Sequence, residues 1–382
     1  MWRWYSEQNL HCVPEEVMKE GMSLEQFGPF SSCNGLSVQT FYFPPEEYNP
    51  LIYFTNLRAP KEPLQVEKWS CKQCTFNAKC HSEICMQFTT RYATYETFKS
   101  CLVASSRRSD FYFVINSSRQ YMKQTGDGHF SPIAGVHLDR QLGLVLDTAR
   151  FKYPSYWCDI GMLYNSMKIK DRITQKARGF VLLSRNIAEM RSSPKKQVGP
   201  DLISIKGLHE DFKTKYEQRV KAKMSQSDVQ TLAEREIQLV YNILTSLPKE
   251  FEYLMAYYLF DFSVRVNIFE THGDHAMKLF GSHLYNHLQE EIESTELYYF
   301  VKNLLESQFG DLSKHSLFIL ICDFVPELFQ HIVALILASM PMEMLQKFDA
   351  PIIIKLIQDF QQPKNGAIKT ELALIKQIAA LP

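Results

Sequence analysis

The chain shows no bias toward either charge, no long apolar run and only 15 glycines in 382 residues. Its 42 basic and 42 acidic side chains cancel. There is thus no global field to draw nucleic acid or an anionic membrane surface, although a local basic patch stays compatible with neutrality. The start, Met1-Trp2-Arg3-Trp4, has no apolar core of the kind a secretory leader needs. The greasiest stretch, Leu317 to Leu345, is interrupted by Asp323, Pro326, Glu327 and His331. Its longest clean run, Ile332 to Met340, is far shorter than the ~20 residues of a membrane-crossing helix. These features predict a soluble protein with neither a nucleic-acid nor a membrane partner.

What is present fits a chain that can bury real cores: 45% of residues are hydrophobic and 13% aromatic. The length predicts two domains. Nine cysteines is an odd number, and four of them crowd between positions 71 and 85. A disulfide framework would not leave one over and pack four so tightly, so a reducing, cytoplasmic setting is expected.

Residues 1 to about 47 read as a small α/β piece, with short helices from Pro14 and around Ser23–Phe27 and a strand over Leu36–Phe43. Residues 48–90 change character, with prolines at 50, 60 and 63 followed by the cysteines, and read as an insert. Apolar runs predict strands at Phe111–Ile115, Ile133–His137, Leu142–Leu146 and Gly179–Leu183. Residues 191–225 read as a linker, opening with Arg-Ser-Ser-Pro-Lys-Lys-Gln-Val-Gly-Pro. Beyond it the apolar period turns helical, with stretches at 275–289, 293–307, 315–322, 326–346, 350–361 and 366–380. The predicted architecture is α+β: residues 1–190 with the insert at 48–90, a linker at 191–225, and an all-α region at 226–382. The basic residues of 167–178 read as a solvated face. The aromatic pairs at 257–258 and 298–300 read as core.

His129 and Asp147 form the informative pair. If residues 130–137 and 142–147 make one antiparallel hairpin turning at 138–141, the two side chains lie at or within two residues of opposing positions at its open end. Directly opposed Cβ atoms sit ~4.5–5.5 Å apart, close enough for a carboxylate to orient an imidazole. A carboxylate on Nδ1–H would leave Nε2 free as a base. Gly126 and Gly128 would let the backbone approach a substrate. From spacing alone the plainer account, in which His129 ends a strand and Asp147 caps a turn, has the advantage.

A second constellation is Cys71-x2-Cys74-x5-Cys80-His81-x3-Cys85. Four soft ligands in so short a span suit tetrahedral Zn²⁺ or Cd²⁺. The Cys-x2-Cys half has a usual zinc spacing and the second half does not, so a reduced cysteine loop stays open.

Longer words in the sequence carry a resemblance. Gln124-Thr125-Gly126-Asp127-Gly128-His129-Phe130-Ser131-Pro132-Ile133 closely resembles the histidine segment of phytochelatin synthases. Leu146-Asp147-Thr148-Ala149-Arg150-Phe151-Lys152-Tyr153-Pro154 resembles the aspartate segment of that family. Trp2-Arg3-Trp4-Tyr5 with Leu10-His11-Cys12, and Ser32-Cys33-Asn34-Gly35, match in the same order. The resemblance covers roughly residues 2–47 and 95–190. It implies a papain-like fold with a Cys-His-Asp triad, in which glycine is cleaved from glutathione and the γ-glutamylcysteinyl group passes through a cysteine thioester to another glutathione or a growing phytochelatin. It implies His129 as base and Asp147 as its orienter. Arg150 and Lys152 are candidates for substrate carboxylates, or else a solvated basic strand end.

In the family the nucleophile stands upstream of the Trp-Arg-Trp stretch, on a helix N-terminus beside a glutamine. On this reading the chain lacks it, which points to truncation or a pseudoenzyme and to no acyl transfer by this polypeptide. Cys12 precedes a helix start but sits beside Glu15 and Glu16; Cys33, Cys101 and Cys158 read as buried small residues. The implied partners are glutathione and metal–glutathione thiolates, with a homodimer left open. A heavy-metal ion (Cd²⁺ or Zn²⁺) is the implied activator, with structural zinc at the cysteine insert. Two alternatives stand beside this reading: a non-catalytic metal- or partner-binding regulator, and a papain-like peptidase of glutathione conjugates.

Overall fold

The computed structural model describes residues 21–33, 36–50, 91–185, 218–223, 231–271, 286–312, 314–340, 342–347, 350–362 and 366–379. The chain divides into two units. One comprises residues 1–50, 58–197 and 260–282; the other comprises residues 51–57, 198–259 and 283–382.

The first unit is built on a seven-stranded sheet: β1 (Leu36–Tyr42), β2 (Arg91–Tyr92), β3 (Phe111–Ser118), β4 (Gly128–His137), β5 (Leu142–Val145), β6 (Tyr156–Asp159) and β7 (Gly179–Arg185). Their spatial order is β2-β1-β7-β3-β4-β5-β6. Only the β1–β2 pair is parallel; the others are antiparallel. The predicted strands near 36–43, 111–115, 133–137, 142–146 and 179–183 are all present. The edge strands β2 and β6 are too short to show a period.

Side-chain alternation gives the central strands two buried faces. On one, Phe41, Phe180 and Phe113 stack at centroid distances of 4.9 and 4.7 Å, and Phe98 of the helix Tyr95–Ser106 meets Phe113 and Phe180 edge-on. That helix starts where Thr94 Oγ1 accepts the Thr97 N–H, and it buries Phe98, Cys101, Leu102 and Val103. On the other face, Leu24 and Phe27 of the helix Leu24–Cys33 pack on Leu36, Val38, Val114, Val181 and Leu183. Phe27 stacks on Phe130 of β4 at 4.7 Å. The strand holding His129 is therefore clamped on both sides.

The second unit is helical throughout its described residues. Its central pair, Ser316–Phe324 and Phe329–Ala338, is mostly apolar and buried, with Asp323 and His331 buried among the apolar residues. The predicted continuous stretch over 326–346 is broken into a 3₁₀ turn at Pro326–Leu328, a helix ending at Ala338, and a short helix Met342–Gln346. Pro326 enforces the first break, because a proline ring cannot continue the preceding helix. The bend there is 117°, and no single described helix is long and apolar enough to cross a membrane. The stretch predicted over 293–307 begins instead at Glu296, after a turn at 294–295. Of the aromatic pairs, Tyr258 is fully buried, whereas Tyr299 is exposed.

Two glutamates lock helix starts that lie far away in sequence. Buried Glu236 accepts the Ile352 and Ile353 N–H groups at 3.0 and 2.7 Å, at the first turn of the helix Pro351–Phe360. Glu291 accepts Ala367 and Ile368 N–H at 3.1 Å each, at the start of the helix Gly366–Ala379. Each carboxylate satisfies orphan donors and sits at the positive end of a helix dipole. Replacing Glu236 by Ala strands two backbone N–H groups, one buried and one part-buried, and should lower stability by about 1.5–3 kcal/mol in urea unfolding; an unchanged midpoint would mean these bonds contribute nothing net.

Candidate active site

The site forms at the open end of the β4–β5 hairpin. The turn falls at 138–141, as predicted, with Gln141 at φ +53°. From the tip, His137 pairs with Leu142, Val136 with Gly143 and Gly135 with Leu144; the register then shifts, and Ile133 faces Val145. Ala134 is thus an extra, exposed residue in β4, and the Leu146 N–H bonds the Pro132 carbonyl beyond it. Continued to the mouth, this register sets His129 and Asp147 two residues off direct opposition, and their side chains meet: His129 Nε2 lies 2.9 Å from Asp147 Oδ1.

The contacting nitrogen corrects the sequence expectation. Nε2, not Nδ1, faces the carboxylate and also lies 3.0 Å from Thr148 Oγ1. The Thr148 hydroxyl donates to the Phe130 carbonyl at 3.1 Å, so its oxygen is free to accept. One Nε2–H shared between Asp147 and Thr148 accounts for both contacts. Nδ1 carries no hydrogen bond among the described residues, and is the nitrogen left to take a proton. Strand spacing fixes which residues meet and leaves the ring's rotation about Cβ–Cγ undetermined.

Asp147 is held by more than His129. Arg119, just beyond β3, donates through Nη2 to both carboxylate oxygens at 2.9 Å, and the Ala149 N–H donates to Oδ1 at 2.7 Å. Arg119 and Asp147 side chains are only 5% and 1% exposed. Arg119 Nη1 bonds Gln124 Oε1 at 2.9 Å, and its guanidinium lies 5.0 Å from the centre of the Tyr153 ring. The Tyr153 hydroxyl in turn receives the Thr125 N–H at 2.8 Å. Sequence reasoning passed over Arg119 because a charged residue after a strand ordinarily points to water.

The two glycines have a different use from the one expected. A Cβ on Gly128 would sit 1.8 Å from Arg178 Nη1, so the space there belongs to a buried side chain of the protein itself. Gly126 adopts φ +112°, which L side chains rarely tolerate. Arg178, read as part of a solvated face, is fully buried instead, bonding Asn116, Asp171 and Asp127.

The remaining candidates divide. Arg150 and Lys152 are exposed in the turn after Asp147, and the structure brings neither into contact with His129. The Lys152 ammonium lies 5.8 Å from the Phe151 ring centre. Cys101 and Cys158 are buried, as read from sequence. Burial pushes the Cys158 thiol up to about 11. Cys12, Cys71, Cys74, Cys80 and Cys85 lie outside the described residues. Among the described residues no group of three or more His, Cys, Asp or Glu side chains is placed to hold a metal.

Burial lowers the His129 imidazole pKa; Arg119 and Lys152 lower it further, against the opposing pull of Asp147. Burial works to raise the Asp147 carboxyl, but hydrogen bonds from Arg119 and Ala149, and the charges of His129 and Arg119, hold it below the usual carboxylate value. The arrangement at neutral pH is a neutral imidazole on a fixed carboxylate, which is what a general base requires.

The fold and this pair define a mixed α/β protein with the imidazole–carboxylate half of an acid–base site. Comparison of the sequence with known proteins specifies the family. The profile of the family described as phytochelatin synthase matches residues 1–180, a little under half of the chain. A fission yeast (Schizosaccharomyces pombe) protein named glutathione gamma-glutamylcysteinyltransferase is 29% identical over 184 residues, covering 48% of this chain and 33% of the relative. Glutathione gamma-glutamylcysteinyltransferase 2 of Arabidopsis thaliana is 41% identical over 98 residues, 26% of this chain and 22% of that protein. Glutathione gamma-glutamylcysteinyltransferase 1 of Lotus japonicus is 27% identical over 258 residues, 66% of this chain and 39% of that protein. The chain therefore spans well under half the length of these relatives.

Both shifts have the same sign for stability. His129 and Asp147 each bind a proton more weakly folded than unfolded, so each stabilises above its ordinary pKa and loses that contribution as pH falls toward its folded value. Stability should decline as pH drops below about 6.5, the ordinary histidine value, and again below the ordinary carboxylate value of 3.8. Buried His331 and half-buried His315 are shifted the same way and share the first window. His129→Gln should therefore reduce, not abolish, the slope of unfolding free energy against pH in that first window. An unaltered slope would contradict the downward shift of His129.

Proposed function

We propose that this chain belongs to an enzyme that transfers γ-glutamylcysteine from glutathione to glutathione or to a growing phytochelatin, in heavy-metal detoxification. The observation that carries the reading is an imidazole with one nitrogen on a buried carboxylate and the other without a hydrogen bond among the described residues, inside the segment matched to the family. In this mechanism His129 takes the proton of a cysteine thiol as the sulfur attacks the cysteinyl–glycine amide carbon. It returns that proton to the departing glycine amine, leaving a γ-glutamylcysteinyl thioester. It then takes a proton from the acceptor's α-amine as the amine attacks the thioester, and gives it back to the released sulfur. Asp147 holds the ring and stabilises the transient imidazolium. The fold class this implies for the first unit is papain-like.

The thiol must ionise at the site, which argues against Cys101, Cys158 and Cys322. Cys158 is pushed up to about 11 and Cys322 is also raised, both chiefly by burial, and Cys101 is fully buried. The reading accordingly assigns the nucleophile to none of these three cysteines. Arg150 and Lys152, both exposed next to Asp147, are the proposed contacts for substrate carboxylates. Cd²⁺ or Zn²⁺ enters as part of the substrate, bound to the glutathione thiolate. Cys71, Cys74, Cys80 and Cys85 keep the chemistry of a thiolate zinc site, and cytoplasm is the matching compartment.

The test is to incubate the protein, together with a form extended by any in-frame upstream segment bearing a glutamine and a cysteine, with glutathione and Cd²⁺. Glycine release and γ-glutamylcysteine oligomers are then followed. The form carrying the thiol should make oligomers, and His129→Ala should slow it by roughly 10²–10⁴-fold. Release of γ-glutamylcysteine without oligomers would favour the peptidase alternative. Turnover unaffected by His129→Ala would overturn the assignment.

A further inference from the structure

Arg178 is 1% exposed and lies on the opposite face of β4 from His129. Its Nη2 donates to Asp127 Oδ1 at 3.0 Å; its Nη1 lies 3.1 Å from Asp171 Oδ2 and 3.2 Å from Asn116 Oδ1 of β3. The backbone of Gly128 runs so close over the guanidinium that a single added carbon would collide with it. Arg178 thus fixes both residues that immediately precede His129. Asp127 has a second attachment, because its carbonyl accepts the Arg119 N–H at 2.7 Å. The Arg119 guanidinium holds Asp147, and Asp147 holds the imidazole. A continuous chain of short contacts therefore runs from Arg178 through Asp127 and Arg119 to the His129 ring.

We propose that Arg178 is a positioning residue for His129, acting through Asp127 and Gly128 to set the height of the first β4 residue and the seat of Arg119 beneath Asp147. The guanidinium also ties the turn at Asp171 to this point of the sheet. Its burial is costly unless the surrounding carboxylates compensate it, and removing one carboxylate undoes that compensation. The proposal deepens the acyl-transfer reading and rests on it for its functional meaning, but its test does not depend on turnover.

The experiment follows the His129 imidazole titration by NMR in this chain, the resonance being assigned by its loss in His129→Gln. Asp127→Ala cuts the link to Arg178 and should raise the His129 midpoint by at least ~0.5 pH unit toward the ordinary value, as burial and the nearby Arg119 charge relax. Simple removal of the Asp127 negative charge would act the other way, lowering the midpoint, so the sign separates positioning from direct electrostatics. Asp127→Asn keeps an acceptor oxygen but loses the charge, so it should show no upward shift of the midpoint. Arg178→Met should also raise the midpoint, but there the loss of a positive charge acts in the same direction. If that variant fails to fold, Asp127→Ala decides the matter, since the Asp127 side chain is one-third exposed. A folded Asp127→Ala protein with an unmoved or lowered His129 midpoint overturns the proposal, even if its melting temperature has dropped. That result would leave the family's chemistry untouched, whereas a chain incapable of transfer would still show the upward shift.

Discussion

The buried pair between Arg119 and Asp147 is the interaction on which the site depends. Asp147 ends a short strand at the mouth of a hairpin, where a lone carboxylate would either turn to water or take up a proton. The guanidinium and the Ala149 N–H remove both options, keeping it charged and aimed at His129. The desolvation cost is compensated only because every oxygen has a donor, and either partner left alone would be strongly destabilising. The imidazole is consequently the one member of the group with room to change protonation state.

The rest of the first unit serves to keep that group in place. The stacked rings of Phe41, Phe180 and Phe113 fix the middle of the sheet, and the two helices cover its faces. The strand carrying His129 is therefore immobilised from below, above and beside before any substrate arrives. This is the preorganisation that acid–base catalysis needs. The helical unit follows a different logic, in which carboxylates on one helix cap another more than seventy positions away in sequence. Its helices are stabilised by packing and mutual capping, and their own propensity matters less.

The fold and the meeting of His129 with Asp147 were legible because both follow from periodicity. Apolar alternation located the strands, and the spacing about a polar turn brought the pair together. What escaped shares a single physical cause: it depended on residues whose type argues against their location. Arg119 and Arg178 are arginines, ordinarily solvated, yet both are buried because carboxylates and side-chain amides in and beside the strands accept from their terminal nitrogens. Gly128 looked like room for a ligand and is room for Arg178. Which imidazole nitrogen faces Asp147 depends on a rotation that no spacing encodes. The breaks near 294 and 326 came from a turn and a proline within long apolar stretches, where a continuous helical period masked them.

The extra residue in β4, Ala134, has a consequence for how this hairpin can evolve. Side chains along a strand take opposite sides by turns, so the register at the tip, carried unchanged to the mouth, would put Asp147 across from an even-numbered residue and on the far side of the sheet from His129. The bulge changes the parity. Lengthening the exposed tip at 138–141 leaves that parity intact, whereas deleting one residue between 130 and 134 would turn the acid away from the base with His129 and Asp147 both still present. The hairpin is thus tolerant at its tip and intolerant at an alanine with no chemistry of its own.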